Sequence, residues 1–270
     1  MNRDLGAPRP DQAAYMLRMA GTGRTYKEQL LALLDVRAGQ TALDVGCGPG
    51  ADLGDFSRLV GAGGRVIGVD RDPAMVAEAR RRASGPAPVE IREGDAHALP
   101  VEPGSVDRAR IDRVLMHVDD PAAALGALHR AVRPGGLVGL AEPDWDTLVV
   151  DADDLETGRA FTRFTTTVAV RNATIGRRLA RLAEEAGFTV LTVLANTPVL
   201  RDPEVADYAL GLGRNTRKAI DAGHIDEDRG TRWFESLSQG PFLASCTVFT
   251  VICSRGVTPM ADPDEASSHI

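Results

Sequence analysis

Three glycines spaced G46-C-G48-P-G50-A51 follow the apolar run TALDV, and Asp44 stands two residues before the first of them. This spacing satisfies G-x-G-x-G and also the looser dinucleotide pattern G-x-G-x-x-A. A glycine loop of this kind lets the backbone approach a ligand closely, while the helix that follows turns its N-terminal N–H groups toward it. Charge separates the two readings. A dinucleotide brings a pyrophosphate to the turn, which a carboxylate would repel in a low-dielectric crevice. S-adenosylmethionine brings an ammonium and a sulfonium, and Asp44 complements both, directly or by fixing loop N–H groups and a bridging water. The plain alternative is that Asp44 caps its own turn.

Two further acids close the next two strand-like runs. Asp70 ends RVIGVD, where a carboxylate can accept both ribose hydroxyls. Asp95 ends VEIREGD and precedes Ala96, where a carboxylate can accept an adenine amino group while the Ala96 N–H meets a ring nitrogen. A ribose acid serves NAD equally well, whereas the third acid is one that NAD does not demand. Three acids at the carboxyl ends of three consecutive parallel strands would share the ligand edge of an open sheet.

The elements that must position these residues are legible as alternating patterns. Short apolar or β-branched runs at TALDVG, RVIGVD, VEIRE, VDRARID and LVGLAEP have helices between them, the signature of parallel βαβ winding; TVLTVLANTPVL and SCTVFTVICS follow. Helices are expected over about 24–36, 51–61, 73–84, 121–132 and 174–186. Asp72-Pro73 and Asp120-Pro121 each place a capping acid before a proline at the first helical position, and Arg133-Pro134-Gly135-Gly136 stops a helix before the fifth strand. The long gap between the last two strands reads as two helices and a loop forming a lid or an oligomer contact. The expected organisation is one α/β domain over 1–255, with a helical cover at 12–36, a helical insertion at 198–245 and a flexible tail at 256–270.

Composition narrows the partners. A formal charge of −7 argues against nucleic acid, which draws its affinity from a positive surface. Lysine occurs only at Lys27 and Lys218, so nearly all positive charge is arginine, a pattern read as coding bias. Cys47, Cys246 and Cys253 form no C-x-x-C pair, and the histidines show no metal-ligand spacing, so no metal site is expected. No run approaches the roughly 18 apolar residues of a membrane span, and MNRDLGAPRPDQAA lacks the apolar core of a signal peptide. The expectation is a soluble cytoplasmic protein, monomer or homodimer, with a small-molecule substrate and neither nucleic acid nor membrane as partner.

LDVGCGPG, VIGVDRDPAMVAEAR, EGDAHALP, VDRARIDRVLMHVDDPAAAL and HRAVRPGG together resemble the successive motifs of class I S-adenosylmethionine-dependent methyltransferases, most closely the ubiquinone/menaquinone-biosynthesis-type small-molecule branch. The resemblance covers about residues 40 to 145. It implies a Rossmann-like, mostly parallel seven-stranded α/β sheet of order 3-2-1-4-5-7-6. The last strand would be antiparallel, with helices on both faces. It also implies Asp44, Gly46, Gly48 and Gly50 at the methionine part of the cofactor, Asp70 at the ribose, Asp95 with Ala96 at the adenine, and Arg113 and Val114 beside it. The side chain of Arg113 would turn to Asp112 or the substrate. In this family the N-terminal helix covers the cofactor, so Tyr15, Arg18, Met19 and Arg24 are candidates for the methionine end, an arginine suiting the carboxylate.

Methyl transfer asks the protein chiefly to align nucleophile, methyl and sulfur in a dry pocket, and a general base helps when the acceptor is a hydroxyl or carbon acid. His117, at a position that faces the pocket in this family, is the candidate base. Glu142, Asp144 and Trp145, after the fifth strand, are candidates for the acceptor, Trp145 as an aromatic wall. The acceptor atom, O, N or C, stays open. Two other functions remain beside methyl transfer: a non-methylating cyclase or binding protein on the same fold, and an NAD-linked oxidoreductase.

Overall fold

The computed structural model describes residues 13–17 and 23–256, so Arg18, Met19 and the tail from 257 lie outside the described residues. Residues 13–17 are helical, and helix α1 (Arg24–Leu34) follows. Five strands then run parallel: β1 (Thr41–Val45), β2 (Arg65–Asp70), β3 (Val89–Glu93), β4 (Val106–Asp112) and β5 (Val132–Val150). Helices α2 (Leu53–Val60), α3 (Pro73–Arg82) and α4 (Pro121–Ala131) connect them. The capping acids act as their position before proline dictates: Asp72 accepts the N–H of Ala74 and Asp120 that of Ala123. The β3–β4 connection departs from the expected pattern, because it holds no helix. Gly94, Pro100, Pro103 and Gly104 break it, and it folds back through a bridge between Asp95 and Ala98.

Beyond β5 come α5 (Leu155–Phe164), a π-helical turn (Thr165–Ala169), α6 (Ile175–Glu185), β6 (Phe188–Asn196) and the two-residue β7 (Val199–Leu200). Helices α7 (Pro203–Leu210), α8 (Leu212–Asp221) and α9 (Glu227–Ser236) precede β8 (Ala244–Arg255). The insertion therefore holds three helices where the sequence pattern suggested two, because Gly211 in a left-handed conformation breaks what reads as one continuous run. Helix α5 was not expected, since its threonines are poor helix formers. Packing holds it instead: Phe161 meets Trp233 of α9 with ring centroids 5.2 Å apart, and Arg229 forks onto its capping Asp154 at 2.8 Å on both arms.

The sheet order is β3-β2-β1-β4-β5-β8-β6, with β8 antiparallel to both neighbours and β7 paired to its end. The expected order is thus found, the antiparallel strand being eighth in count because of β7. Strand β5 is longer than its LVGLAEP core: the Arg133–Gly136 stretch is a bulge, after which the register with β4 resumes at Arg108 and Leu137. Leu43, Val45, Ile67 and Val69 point into one buried cluster with α4 and α6, while Ala42 and Val66 point into another with α1, α2 and α3. Helices on both faces account for the near-continuous apolar runs of the central strands. Strand order reverses between β1 and β4, and a crevice opens beyond the carboxyl ends of strands at such a point. Among the described residues no helix is long and apolar enough to cross a membrane.

Candidate functional site

The loop after β1 is shaped by its neighbours. The N–H groups of Gly46 and Cys47 both donate to the Val69 carbonyl, at 2.7 and 3.0 Å, which ties the loop over the end of β2. Gly46 has φ 69°, and a Cβ there would lie 2.3 Å from Val114 Cγ2, so only glycine lets the loop pass this close to the segment after β4. Gly48 donates its N–H to Asp70 Oδ2 at 2.8 Å, and Gly50 closes the turn onto the Cys47 carbonyl at 3.0 Å. Asp70 Oδ1 accepts the Asp72 N–H at 2.9 Å, so this carboxylate orients the loop and the α3 entry together. Asp95 accepts the N–H of His97 at 2.8 Å and also meets its ring; these contacts, the backbone one foremost, hold its carboxyl below the usual range.

Asp44 differs from the sequence expectation. It is buried and already held by Arg110, through Nε at 2.9 Å and Nη2 at 2.7 Å. Register dictates this pair: Asp44 and Arg110 are partners across β1 and β4, so their side chains stand on the same face. Arg110 also reaches Asp52 at 2.9 Å and lies over the Phe56 ring. Lys27 bridges Asp52 at 2.5 Å and Asp112 at 3.5 Å, and Tyr26 donates its hydroxyl to Asp112 at 2.9 Å. Burial would lower the Arg110 pKa, but Asp44 and Asp52 outweigh it and hold the guanidinium charged. Three carboxylates and three cations, counting Arg113 at 3.5 Å from Asp112, thus share the floor beneath the glycine loop. The charge of Asp44 is compensated, and it cannot alone tell an ammonium from a phosphate.

The N-terminal candidates separate. Tyr15 lines the cavity and packs on Tyr208 of α7 with centroids 4.4 Å apart. Arg24 lies outside the cavity: its side chain is in solvent and pairs with Glu28 at 3.1 Å. Lys27, almost one helical turn further on, faces inward instead.

A tight turn after β4 supplies the next wall. Arg113 takes φ 57° and donates its N–H to the Ala141 carbonyl at 2.8 Å. The following three N–H groups, of Val114, Leu115 and Met116, converge on Glu142 at 2.7, 2.5 and 3.3 Å. Asn172 Nδ2 takes the carbonyls of Leu115 and Val118 at 2.9 and 2.8 Å from the other side. Glu142 is therefore not a loop acid at the cavity mouth: it is fully buried, and burial pushes its carboxyl up to about 8 despite the three N–H donors. Asp144 is also fully buried and forks with Arg177 of α6, one arm at 2.7 Å. Both were expected at the acceptor; strand β5 continues past them and turns them inward. His117 and Trp145 do line the cavity, His117 exposed at its mouth and Trp145 only 8% exposed.

These walls enclose about 740 Å³. The glycine loop, Asp70, Asp95, Ala96, the 113–118 turn, Trp145, the end of the π turn and α8 all line this cavity. A second concavity of about 650 Å³ runs along α5, but it has neither the loop nor the strand-end acids. Sequence reasoning missed Lys27, Asp52, Arg110 and the inner face of α8. One signal was available: the only two lysines of the chain, Lys27 and Lys218, both line this cavity. Among the described residues no group of three or more His, Cys, Asp or Glu is placed to hold a metal ion.

Comparison with known proteins agrees with this geometry. Residues 43–140 match the family described as a methyltransferase domain. An uncharacterised 37.1 kDa protein in transposon TN4556 of Streptomyces fradiae is 50% identical over 245 residues, 90% of this chain and 71% of that protein. A demethylmenaquinone methyltransferase of Staphylococcus aureus is 33% identical over 127 residues, 47% of this chain and 53% of the relative, so the chain matches about half the length of that enzyme. Among solved structures, a putative methyltransferase from Bacillus halodurans shares the fold with a TM-score of 0.62 at 16% identity, over 85% of this chain and 98% of that one. The [4+2]-cyclase SpnF does so with a TM-score of 0.53 at 18% identity, over 95% and 85%. Ordered motifs, sheet order and these relatives converge: residues 43–140 are a methyltransferase domain of the class I S-adenosylmethionine-dependent fold, similar in sequence to the ubiquinone/menaquinone-biosynthesis branch.

Proposed function

We propose that this chain methylates a small-molecule acceptor seated between His117, Trp145 and helix α8. The observation that carries the reading is one cavity lined both by the glycine loop with the strand-end acids and by His117, Trp145 and the cations of α8.

Asp70 would hold the ribose hydroxyls with the lone pairs left after Gly48 and Asp72, and Asp95 with the Ala96 N–H would hold the adenine. Tyr15, Asp44 and Lys27, which line the cavity where Arg24 does not, would hold the methionine part, Lys27 suiting its carboxylate. When bound, S-adenosylmethionine supplies a methyl carbon activated by its sulfonium, open to in-line displacement by an acceptor lone pair while the C–S bonding pair returns to sulfur. Glu142 and Asn172 hold the 113–118 turn so that this wall does not shift when the acceptor enters. His117 takes the proton of a hydroxyl or carbon-acid acceptor at the mouth, and Trp145 stacks on its body. Helices α7 and α8 of the insertion line the cavity through Ala209, Arg214, Asn215 and Lys218.

A quinone-type ring would suit the Trp145 wall, as the name of the Staphylococcus relatives suggests. The test is release of S-adenosylhomocysteine from the purified chain on a panel of phenols, amines and quinols. Cofactor binding with no release from any of them would instead favour the cyclase or binding reading. His117→Ala should lower turnover at least tenfold with little change in S-adenosylhomocysteine affinity; equal turnover would leave His117 without a catalytic role.

A further inference from the structure

We infer that the methyl acceptor carries an anionic oxygen, received by Lys218 and Arg214 of α8 together with Arg171. The inference rests on the proposed placement of the acceptor in this cavity.

Six carboxylates among the described residues line the cavity, from Asp44 to Asp112, together with four cations, Lys27, Arg71, Arg110 and Arg113. The lining segments that follow the 113–118 turn in the chain add no carboxylate and three further cations: Arg171, Arg214 and Lys218. Their own partners do not use them up. Arg171 pairs with Asp119 at the rim, where both side chains are more than half exposed. Arg214 has a hydrogen bond of 3.4 Å to the neighbouring Asn215, and Lys218 has no ion pair with a described residue.

Helix α8 places Arg214 and Lys218 one turn apart on the same face. Like charges at i and i+4 destabilise a helix, so the arrangement has no value to α8 itself, and an anion between the two groups would reverse the sign of their interaction. Lys218 is one of two lysines in a chain with 31 basic residues, and a flexible ammonium adapts to an anion as a movable point charge. A separate observation points the same way. The Trp145 indole N–H is buried and has no partner among the described residues, on a side chain that lines the cavity. An orphaned buried donor calls for an acceptor atom, and an oxyanion supplies one. Together these groups describe a flat acid: a ring against Trp145 and a carboxylate or phosphate toward α8.

Calorimetric titration in saturating S-adenosylhomocysteine tests this with matched probes: benzoate, salicylate and 4-hydroxybenzoate, each against its carboxamide, and phenyl phosphate against phenol as the phosphate arm. At least one acid is expected to bind tenfold or more tightly than its neutral partner, with the advantage shrinking as salt rises. Arg214→Gln/Lys218→Gln should reduce that advantage at least fivefold while S-adenosylhomocysteine affinity holds. Arg217→Gln removes a charge from the same helix outside the cavity lining and should leave the advantage intact. The inference is overturned if no acid outbinds its neutral partner, including the case in which none binds, or if the advantage survives the double variant. Failure to bind S-adenosylhomocysteine at all would instead overturn the cofactor placement on which both readings stand.

Discussion

Asp44→Ala tests the buried floor of the site. The substitution removes two hydrogen bonds, of 2.9 and 2.7 Å, from a guanidinium whose side chain is 3% exposed and whose Nη1 already lacks a partner. Breaking a buried ion pair by deleting one member costs about 3–5 kcal/mol, because the remaining charge stays out of water. Asp52 at 2.9 Å and the Phe56 ring still face Arg110, which places the expected loss near the lower bound, about 3 kcal/mol. For a chain of this size that is a fall in Tm of roughly 6–12 °C, at roughly 2–4 °C per kcal/mol. Replacing both partners by apolar residues, Asp44→Leu with Arg110→Met, should recover most of the loss, since Asp52 keeps Lys27 at 2.5 Å. Urea unfolding of Asp44→Leu, Arg110→Met and the double variant, without ligand, closes the cycle. A loss under about 1 kcal/mol for Asp44→Ala, or a double variant as unstable as the sum of the singles, would refute the claim that this pair is desolvated and mutually dependent.

Glu142→Leu should orphan three converging N–H groups at about 1–3 kcal/mol each, whereas Glu142→Gln keeps an acceptor for two of them and should be milder by denaturant titration. The pH dependence has a definite sign. With its folded pKa pushed up to about 8 from 4.5, Glu142 contributes stability that is fully present below 4.5 and is lost as pH rises through about 8. Wild type should therefore lose stability relative to Glu142→Gln between about pH 4.5 and 8 and level off above, and a constant difference across that window would count against a protonated Glu142. Asp70→Ala should weaken S-adenosylhomocysteine binding by about 1–3 kcal/mol in calorimetry, by losing the ribose contacts and freeing the Gly48 N–H; unchanged affinity would remove Asp70 from the site. Gly46→Ala should lower Tm, and adding Val114→Ala should restore only part of it, because the 2.3 Å contact is relieved while φ 69° remains strained.

The fold was legible because its signals are local. The strand runs and the proline-capped α3 and α4 follow from periodicity and capping chemistry, and the sheet order is the one that the resemblance of the ordered motifs implied. What was missed depended on distant contacts. Helix α5 carries weak propensity and exists through Phe161, Trp233 and the Arg229–Asp154 fork. Lys27 could have been noticed as one of two lysines, yet nothing near it in the chain states that it faces Asp52 and Asp112.

By itself the sequence determined the architecture, the family and the order in which a glycine loop and strand-end acids meet a ligand edge, since these depend on residues within one motif. Only the tertiary structure decided what each acid is free to do. Register across β1 and β4 hands Asp44 to Arg110, the continuation of β5 draws Glu142 and Asp144 inside, and the insertion brings the cations of α8 to the cavity. The physical reason is that a carboxylate's role is set by the charges and donors within a few ångströms of it. In this chain such partners of Asp44, Asp70, Glu142 and Asp144 are supplied from positions 22 to 66 residues away.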